Sequence, residues 1–465
     1  VELVPQSPEW WVARLYARLL KRRDEIDFYD AYYRGDHPLP WLAPQAREEF
    51  RRVLQMTRSN YSGLVVDAQV ELINVEGFRF GRDSVADADT WRIWQANNLD
   101  SDSDQAFLEA AIGGQSYLLV APNPADESAP QIWIEHASQA IVEFEPGSNR
   151  RVRAAGLKVW DDDWTGEIHA TLYLPGFIHK YKAKAPSAGQ SPRWDERLVP
   201  GEEENGLRRN PLNAVPLVEL PNNPRLLTGG ISELADLTDI QDRINKTLAD
   251  RLITQDYGAF PQKWASGWPE EDDDGNPSPP IDVGRNRMVT TNVSKEQAAF
   301  GQWDAAPLDP YSAAKREDVK DIASRSRTPA DYLLGEMNNI NGETLKASRA
   351  GLVSKVKQRR RPLGEGLEDG LRMARSIAGL SNPQDMFMET IFSNPEYRTE
   401  GELTDATVKK LQTGIVSLRQ AREDLGYTAT QIERLEAEDR EVGLDATLAR
   451  IARPLVTGVD AADAS

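Results

Sequence analysis

The stretch from Asp309 to Ala378 constrains the chain most, because it demands two rods separated by one turn. The first rod opens at Asp309-Pro310, with aspartate as the expected N-cap and proline at the first helical position. It runs through YSAAKREDVKDIASRS and stops near Thr328-Pro329, since a proline pushes the residue before it out of the helical region. A polar loop, LLGEMNNING, follows. Then TLKASRAGLVSKVKQRRRPLGEGLEDGLRMARSIAG reads as a longer helix, with a kink expected at Pro362. At about 100° per residue, Leu345, Leu352, Val356, Leu363 and Leu367 form an apolar seam. Lys346, Arg349, Lys357, Arg360 and Arg361 fall beside it. From Glu343 to Pro362 seven cations face one anion, in a chain of formal charge −19. Two readings fit: a solvated face beside a packed seam, or a surface that meets phosphate or an acidic neighbouring subunit.

At 465 residues the chain is too long for one simple core, and two to four domains are expected. It has no cysteine, which removes disulfides, thiolate metal sites and a cysteine nucleophile. Its four histidines are His37, His136, His169 and His179; the last two sit in alternating apolar runs and read as structural. No run approaches the ~18 apolar residues of a membrane helix, and the polar start VELVPQSPEWW lacks the basic region of a signal peptide.

Ser7-Pro8 starts a first helix that ends at Gly35 and carries Trp11, Leu15, Leu19, Ile26, Tyr29 and Tyr33 on roughly one side. A second helix opens near Ser59-Asn60. VEGFRFG reads as a strand, and TWRIWQANNLDSDSDQAFLEAAIGGQSYLLVAP as helix, loop, helix, glycine stop and strand. Residues 131–183 alternate in strand fashion. Asp161, Asp162 and Asp163 lie in a turn there and read as solvated turn residues rather than a cation site. Residues 184–210 read as an exposed loop, and NPLNAVPLVELPNNPRL as an extended connector. ISELADLTDIQDRINKTLADRLITQDY is an amphipathic helix with Leu234, Leu237, Ile244, Leu248 and Leu252 on one face, capped by Ser232 or Thr228. About 26 residues give roughly 39 Å of rod. Residues 258–308 form a turn-rich island with an acidic, proline-rich loop, PEEDDDGNPSPP, and a strand, IDVGRNRMVTTNV. From Glu396 to the end come three short capped helices with fourteen acids against nine Lys/Arg.

SRTPADYLLGEMNNINGETLKASRAGLVSKVKQRR resembles the tunnel-loop and long-helix region of tailed-bacteriophage portal proteins, the head-to-tail connectors. The pattern is a TP dipeptide, an Asn-rich loop, G-E-x-L-K-A and then G-L-x-x-K-V. YYRGDHPL, the W-x-x-N-x-L-D to G-x-S-Y-x-x-V order and V-P-L-V-x-L-x-N-x-P are similar to flanking segments of that family. The resemblance runs from about Tyr32 to Ile432, by order of segments more than by identity. It implies an α+β portal fold with an α/β wing (1–228), a first stem helix (229–257), a small β-rich clip (258–308) and a second stem helix (309–327). A tunnel loop (328–342), a long kinked helix returning to the wing (343–395) and a helical crown (396–465) complete it.

The same resemblance implies a ring, usually of twelve subunits, at one capsid vertex of the virion, made in the host bacterial cytoplasm. Double-stranded DNA would pass through it without sequence preference. The terminase large subunit, the major capsid protein and a head–tail adaptor would be its partners, and no membrane. Glu336, Asn338, Asn339 and Asn341 would present the tunnel loop to DNA. Lys346, Arg349, Lys357, Arg360 and Arg361 would contact DNA or a neighbouring subunit. Lys263, Arg285 and Arg287 would belong to the clip surface. No Walker A, G-x-S-x-G, H-E-x-x-H or G-x-G-x-x-G occurs, so neither catalysis, cofactor nor metal is expected. The competing reading is an acidic capsid-adaptor or scaffold protein that binds only protein.

Overall fold

A computed structural model describes residues 4–42, 50–81, 86–126, 128–149, 151–185, 192–198, 207–259, 263–266, 299–302, 304, 306–335, 342–396, 400–427, 431–432 and 434–440. The chain divides into two compact units, 1–395 and 396–465. In chain order the larger unit begins with helices α1 (Pro8–Arg34), α2 (Arg51–Gln55) and α3 (Tyr61–Val70), strand β1 (Val75–Phe80), and helices α4 (Ala88–Ala96) and α5 (Leu99–Gly113). Strands β2 (Gln115–Ala121), β3 (Gln131–Glu135), β4 (Ala140–Phe144), β5 (Arg153–Asp162), β6 (Glu167–Tyr173) and β7 (Phe177–Lys184) follow. Then come β8 (Asp195–Glu196), β9 (Leu207–Arg209), β10 (Leu217–Pro221), α6 (Thr238–Ala259), β11 (Lys263–Ser266) and β12 (Ala299–Gln302). Helices α7 (Asp309–Ser326), α8 (Ala330–Leu334) and α9 (Gly342–Ile377), and strand β13 (Met388–Phe392), complete the unit.

Helix α1 follows its sequence signals. Ser7 Oγ accepts from Trp10 N at 3.2 Å, Pro8 takes the first helical position, and Gly35 closes it at φ 80°. Twenty-seven residues make a rod of roughly 40 Å, long enough to serve two cores. Its first half lays Val12, Leu15, Tyr16 and Leu19 on the six-stranded antiparallel sheet of β4 to β8 and β9, against Leu157, Val159, Ala170 and Leu172. Its far end places Tyr32 in a second core, with α3, α6 and α7.

The central sheet is three-stranded, in the order β10-β2-β3, and antiparallel. One face, with Leu118, Val120, Val218 and Leu220, packs under α9. The other, with Tyr117, Leu119 and Leu217, packs against Ile26, Ala140 and Val142. Burial on both sides explains the unbroken apolar run SYLLV. Helix α9 contributes Leu352, Val356, Leu363 and Leu367, which are the predicted seam, together with Leu371 and Ala374. The side chain of Leu345 lies outside the described residues. Gly366 lets α9 approach the sheet closely: a Cβ there would sit 2.7 Å from Glu219 O and 2.5 Å from Leu220 Cδ2.

Several expectations change. The NPLNAVPLVELP segment is not a free connector, because its core pairs with β2 over Leu217–Pro221 as an outer strand, with its proline at the strand's last position. The 184–210 segment contributes two short strands, β8 and β9, to the exposed edge of β7. Helix α6 starts at Thr238, six residues beyond Ser232, because 233–237 form turns that bury Leu234 and Leu237 directly. Helix α7 is flanked by Leu308 with no side-chain cap, and Asp309 is already its first helical residue. It ends as predicted, with Arg327 left-handed at φ 57° and Thr328 N on Ala323 O at 3.1 Å. The 328–342 stretch holds the short helix α8 before the residues that lie outside the described set. Helix α9 continues through Pro362, which cannot donate to the carbonyl of Gln358.

In the smaller unit, α10 (Glu400–Gln412) and α11 (Leu418–Asp424) precede a helical run at 434–440. Ser417 caps α11, its side chain accepting from Gln420 N at 3.2 Å. Among the described residues, no helix is long and apolar enough to cross a membrane.

Candidate nucleic-acid and subunit interface

The rods α6 and α7 run antiparallel: Arg243, early in α6, bonds Asp318 and Asp321, late in α7, at 2.7 Å each, while Thr254 reaches Tyr311 at 3.2 Å. Their shared seam is Ile240 and Ile244 against Val319, Ile322 and Ala323. The Arg243 pairs are half-exposed and set register more than stability.

The root of this pair is polar and buried. Gln241 and Asn245, one turn apart on α6, are fully buried. Gln241 accepts from Tyr61 N at 3.0 Å and donates to Ser59 O at 2.5 Å. Asn245 accepts from Ser59 N and meets His37 Nδ1, each at 3.1 Å. His37 Nε2 lies 3.2 Å from the carbonyl of Tyr32, so that nitrogen carries the proton and Nδ1 accepts from Asn245. The Tyr32 hydroxyl donates to Asp242 at 2.9 Å. Two side chains of α6 thus satisfy the backbone that starts α3, a fit that apolar residues could not make.

Burial lowers the His37 pKa below its ordinary 6.5, against the opposing pull of the Tyr32 carbonyl and Asp242. The neutral ring is the folded form, so stability is highest above about pH 6.5. It falls as pH drops from there towards the folded pKa, where the unfolded chain takes up a proton that the folded chain refuses. His169 and His179 are also lowered by burial and act with the same sign. His37→Gln should therefore show a smaller loss of melting temperature between pH 7.5 and 5.5 than wild type by calorimetry; an equal loss would remove His37 from the effect.

The cations of α9 do not form one stripe. Lys346, Lys357 and Arg361 are exposed and Arg349 is half-buried. Arg360 is the exception among the predicted contacts: it is buried, donates to the backbone carbonyls of Leu72 and Ser393, and stacks its guanidinium carbon 5.3 Å from the Phe392 ring. Its angular position on the helix matches the stripe, but the chain at 72 and 393 passes over it, which helical periodicity cannot foresee. Burial pushes its pKa down to about 10, so it stays charged at neutral pH.

Lys355 and Arg359 point the other way and meet Glu233. Arg359 Nε lies 2.5 Å from Glu233 Oε1, and Lys355 Nζ 3.4 Å from Oε2. Asn222 donates to the same carboxylate at 2.9 Å, and Arg359 Nη1 reaches Asn223 at 2.8 Å. All three charged side chains are at most a tenth exposed. Burial alone would raise the Glu233 pKa; the two cations and Asn222 outweigh it and hold the carboxyl below its ordinary range. Burial lowers the Lys355 ammonium despite Glu233. The carboxylate is therefore firmly charged, and Arg359 at the shorter distance is its principal partner. Sequence reading missed this joint. Its one trace was the i,i+4 spacing of Lys355 and Arg359, on the face opposite Lys346 and Lys357.

The remaining predicted residues separate. Glu336, Asn338, Asn339 and Asn341, and Arg285 and Arg287, lie outside the described residues. The backbone of Lys263 pairs with Gln302 in the two-stranded β11–β12 ribbon. Asp161 and Asp162 end β5 instead of lying in the turn, which spans 163–166, and Asp162 accepts from Trp164 N at 3.0 Å and from the Thr165 hydroxyl at 2.9 Å, closing it. Among the described residues, no three His or acidic side chains gather as a metal site would require.

Residues 13–443 match the family described as phage portal protein, SPP1 Gp6-like. The portal protein of Mycobacterium phage D29 is 29% identical over 398 residues, covering 82% of this chain and 78% of that protein. That of Mycobacterium phage L5 is 29% identical over 429 residues, covering 88% and 84%. Chains in the necks of empty and native gene transfer agent particles align at TM-scores of 0.45 and 0.44, with 12% and 14% identity. They cover 84% of this chain and 96% and 95% of their own.

Proposed function

The chain belongs to the SPP1 Gp6-like phage portal family, and on that premise we propose that it forms the ring-shaped channel at one capsid vertex through which double-stranded DNA enters and leaves the head. The match over residues 13–443 carries this reading. The antiparallel α6–α7 pair, rooted on α3 through Gln241 and Asn245 and on α1 through Asp242, would be the stem. Residues 258–308, which join the two rods in sequence, would be the clip that docks the terminase large subunit and later the head–tail adaptor. The 1–228 body would be the wing against the major capsid protein, and 396–465 the crown.

A channel must touch DNA without holding it. DNA presents one charge per ~1.7 Å of axis, and a strongly basic wall would trap it by counterion release. Net charge −19, with Lys346, Arg349, Lys357 and Arg361 placed locally on α9, suits transient contact. Glu336, Asn338, Asn339 and Asn341 would form the constriction, where amides exchange hydrogen bonds with phosphate at little cost.

Negative-stain imaging of the purified chain should show rings with a central hole, twelvefold if the family habit holds; a persistent monomer would leave the scaffold-protein reading. Deleting 336–342 should leave rings intact and impair DNA packaging or retention in a packaging assay. Unchanged packaging would remove the loop from the channel's working surface.

A further inference from the structure

A cavity of about 730 Å³ opens between the middle of α1, the central sheet and the turn at 225–232. Four cations line it, Arg18, Lys21, Arg22 and Arg225, against two acids, Glu25 and Glu219. Arg18 already bonds Glu143 at 2.6 Å. Arg22 uses Nη1 on the Tyr117 hydroxyl at 2.8 Å and lies 5.6 Å from that ring, while its Nη2 is buried with no hydrogen-bond partner among the described residues. Lys21 is exposed on the same wall, so the cavity offers an ammonium that an incoming carboxylate can reach and pair with. The rim adds a second observation. Leu226 and Leu227 are 89% and 96% exposed, on a tip whose flanks are tied by reciprocal Arg225 and Gly229 backbone bonds. The tip is ordered before anything covers it, so covering it costs little additional conformational entropy.

Cations in a cavity lined by Arg225 and Thr228, the residues on either side of two exposed leucines, call for a carboxylate flanked by apolar side chains. A polyphosphate fits less well, because Glu25 and Glu219 stand in the wall. Copies of a chain of charge −19 repel one another unless cationic patches meet acidic ones. We propose that this cavity is a subunit contact, in which a second copy of this chain inserts a carboxylate beside Arg22 and Lys21 and an apolar neighbour over Leu226 and Leu227. The proposal rests on the ring reading above and assigns one specific contact within it.

The test uses full-length chain, assembled from isotopically light and heavy protein and treated with a zero-length carbodiimide that couples amines to carboxylates. Mass spectrometry should find Lys21 coupled to an Asp or Glu of the other isotope. Arg22→Gln, and separately Leu227→Ser at its exposed position, should each raise the concentration for half-assembly by about tenfold or more. Rings whose Lys21 couples only within its own chain, or to no carboxylate, or assembly unchanged in both variants, would overturn the contact while leaving the ring in place. Absence of rings in the wild type would instead overturn the ring reading, and this contact with it.

Discussion

Glu233→Ala should lower the unfolding free energy of the 1–395 unit by about 3–5 kcal/mol, because it leaves two buried cations without their carboxylate. Lys355 and Arg359 have little access to water from where they sit: both are at most a tenth exposed, beneath the turn that leads into α6. The same change strips Asn222 of an acceptor, although its amide keeps Ile231 O at 2.8 Å. Chemical denaturation followed by far-ultraviolet circular dichroism measures the loss. The physical cause is separable from general damage. Replacing all three charges together, Glu233→Met with Lys355→Met and Arg359→Met, should recover most of the stability, since apolar residues of similar volume need no partner. A triple variant as unstable as the single one would mean that packing, not uncompensated charge, sets the cost. The joint ties the entry to α6 onto α9, so its loss should also loosen the pair of elements that the channel reading depends on.

Gly230→Ala should be worse still, about 4 kcal/mol or more, and should leave little folded protein. A Cβ at this position would stand 1.8 Å from the carbonyl oxygen of Gly114. That carbonyl cannot retreat, because it accepts from Asn222 N at 2.9 Å, and Asn222 in turn accepts from Ile231 N at 2.8 Å. Gly114 itself is left-handed at φ 83°, where other residues are strained. Two backbones therefore cross with no room for a methyl group between α5, β2 and the turn before α6. Gly176→Ala is the control, since nothing lies within 4 Å of its added carbon; it should stay within about 0.5 kcal/mol of wild type. Soluble yield and melting temperature of the pair decide the matter. Near-normal melting of the Gly230 variant would show that the crossing can open.

Much of this chain is legible locally. The caps of α1, Asn60 before α3, the left-handed stop after α7 and the seam of α9 are each written within a few residues of where they act. Hydrophobic period and capping chemistry are short-range properties, so they need no partner to be read. The candidate site was less legible. Four of the five predicted cations of α9 do reach a half-buried or exposed surface, but Arg360 turns inward and the unpredicted Lys355–Glu233–Arg359 joint takes two more. Glu233 and Arg359 stand 126 residues apart in sequence. No periodicity links them.

By itself, then, the amino-acid order determined the rods, most of their ends and the family to which they belong, because turns, caps and seams are decided among neighbours. Only the tertiary structure decided which cations face outward, that the 217–221 segment is a sheet strand, and that two glycines let backbones cross. Those outcomes depend on which distant segment arrives opposite a residue, and a charge or a small side chain looks the same in sequence whether water or a carboxylate meets it.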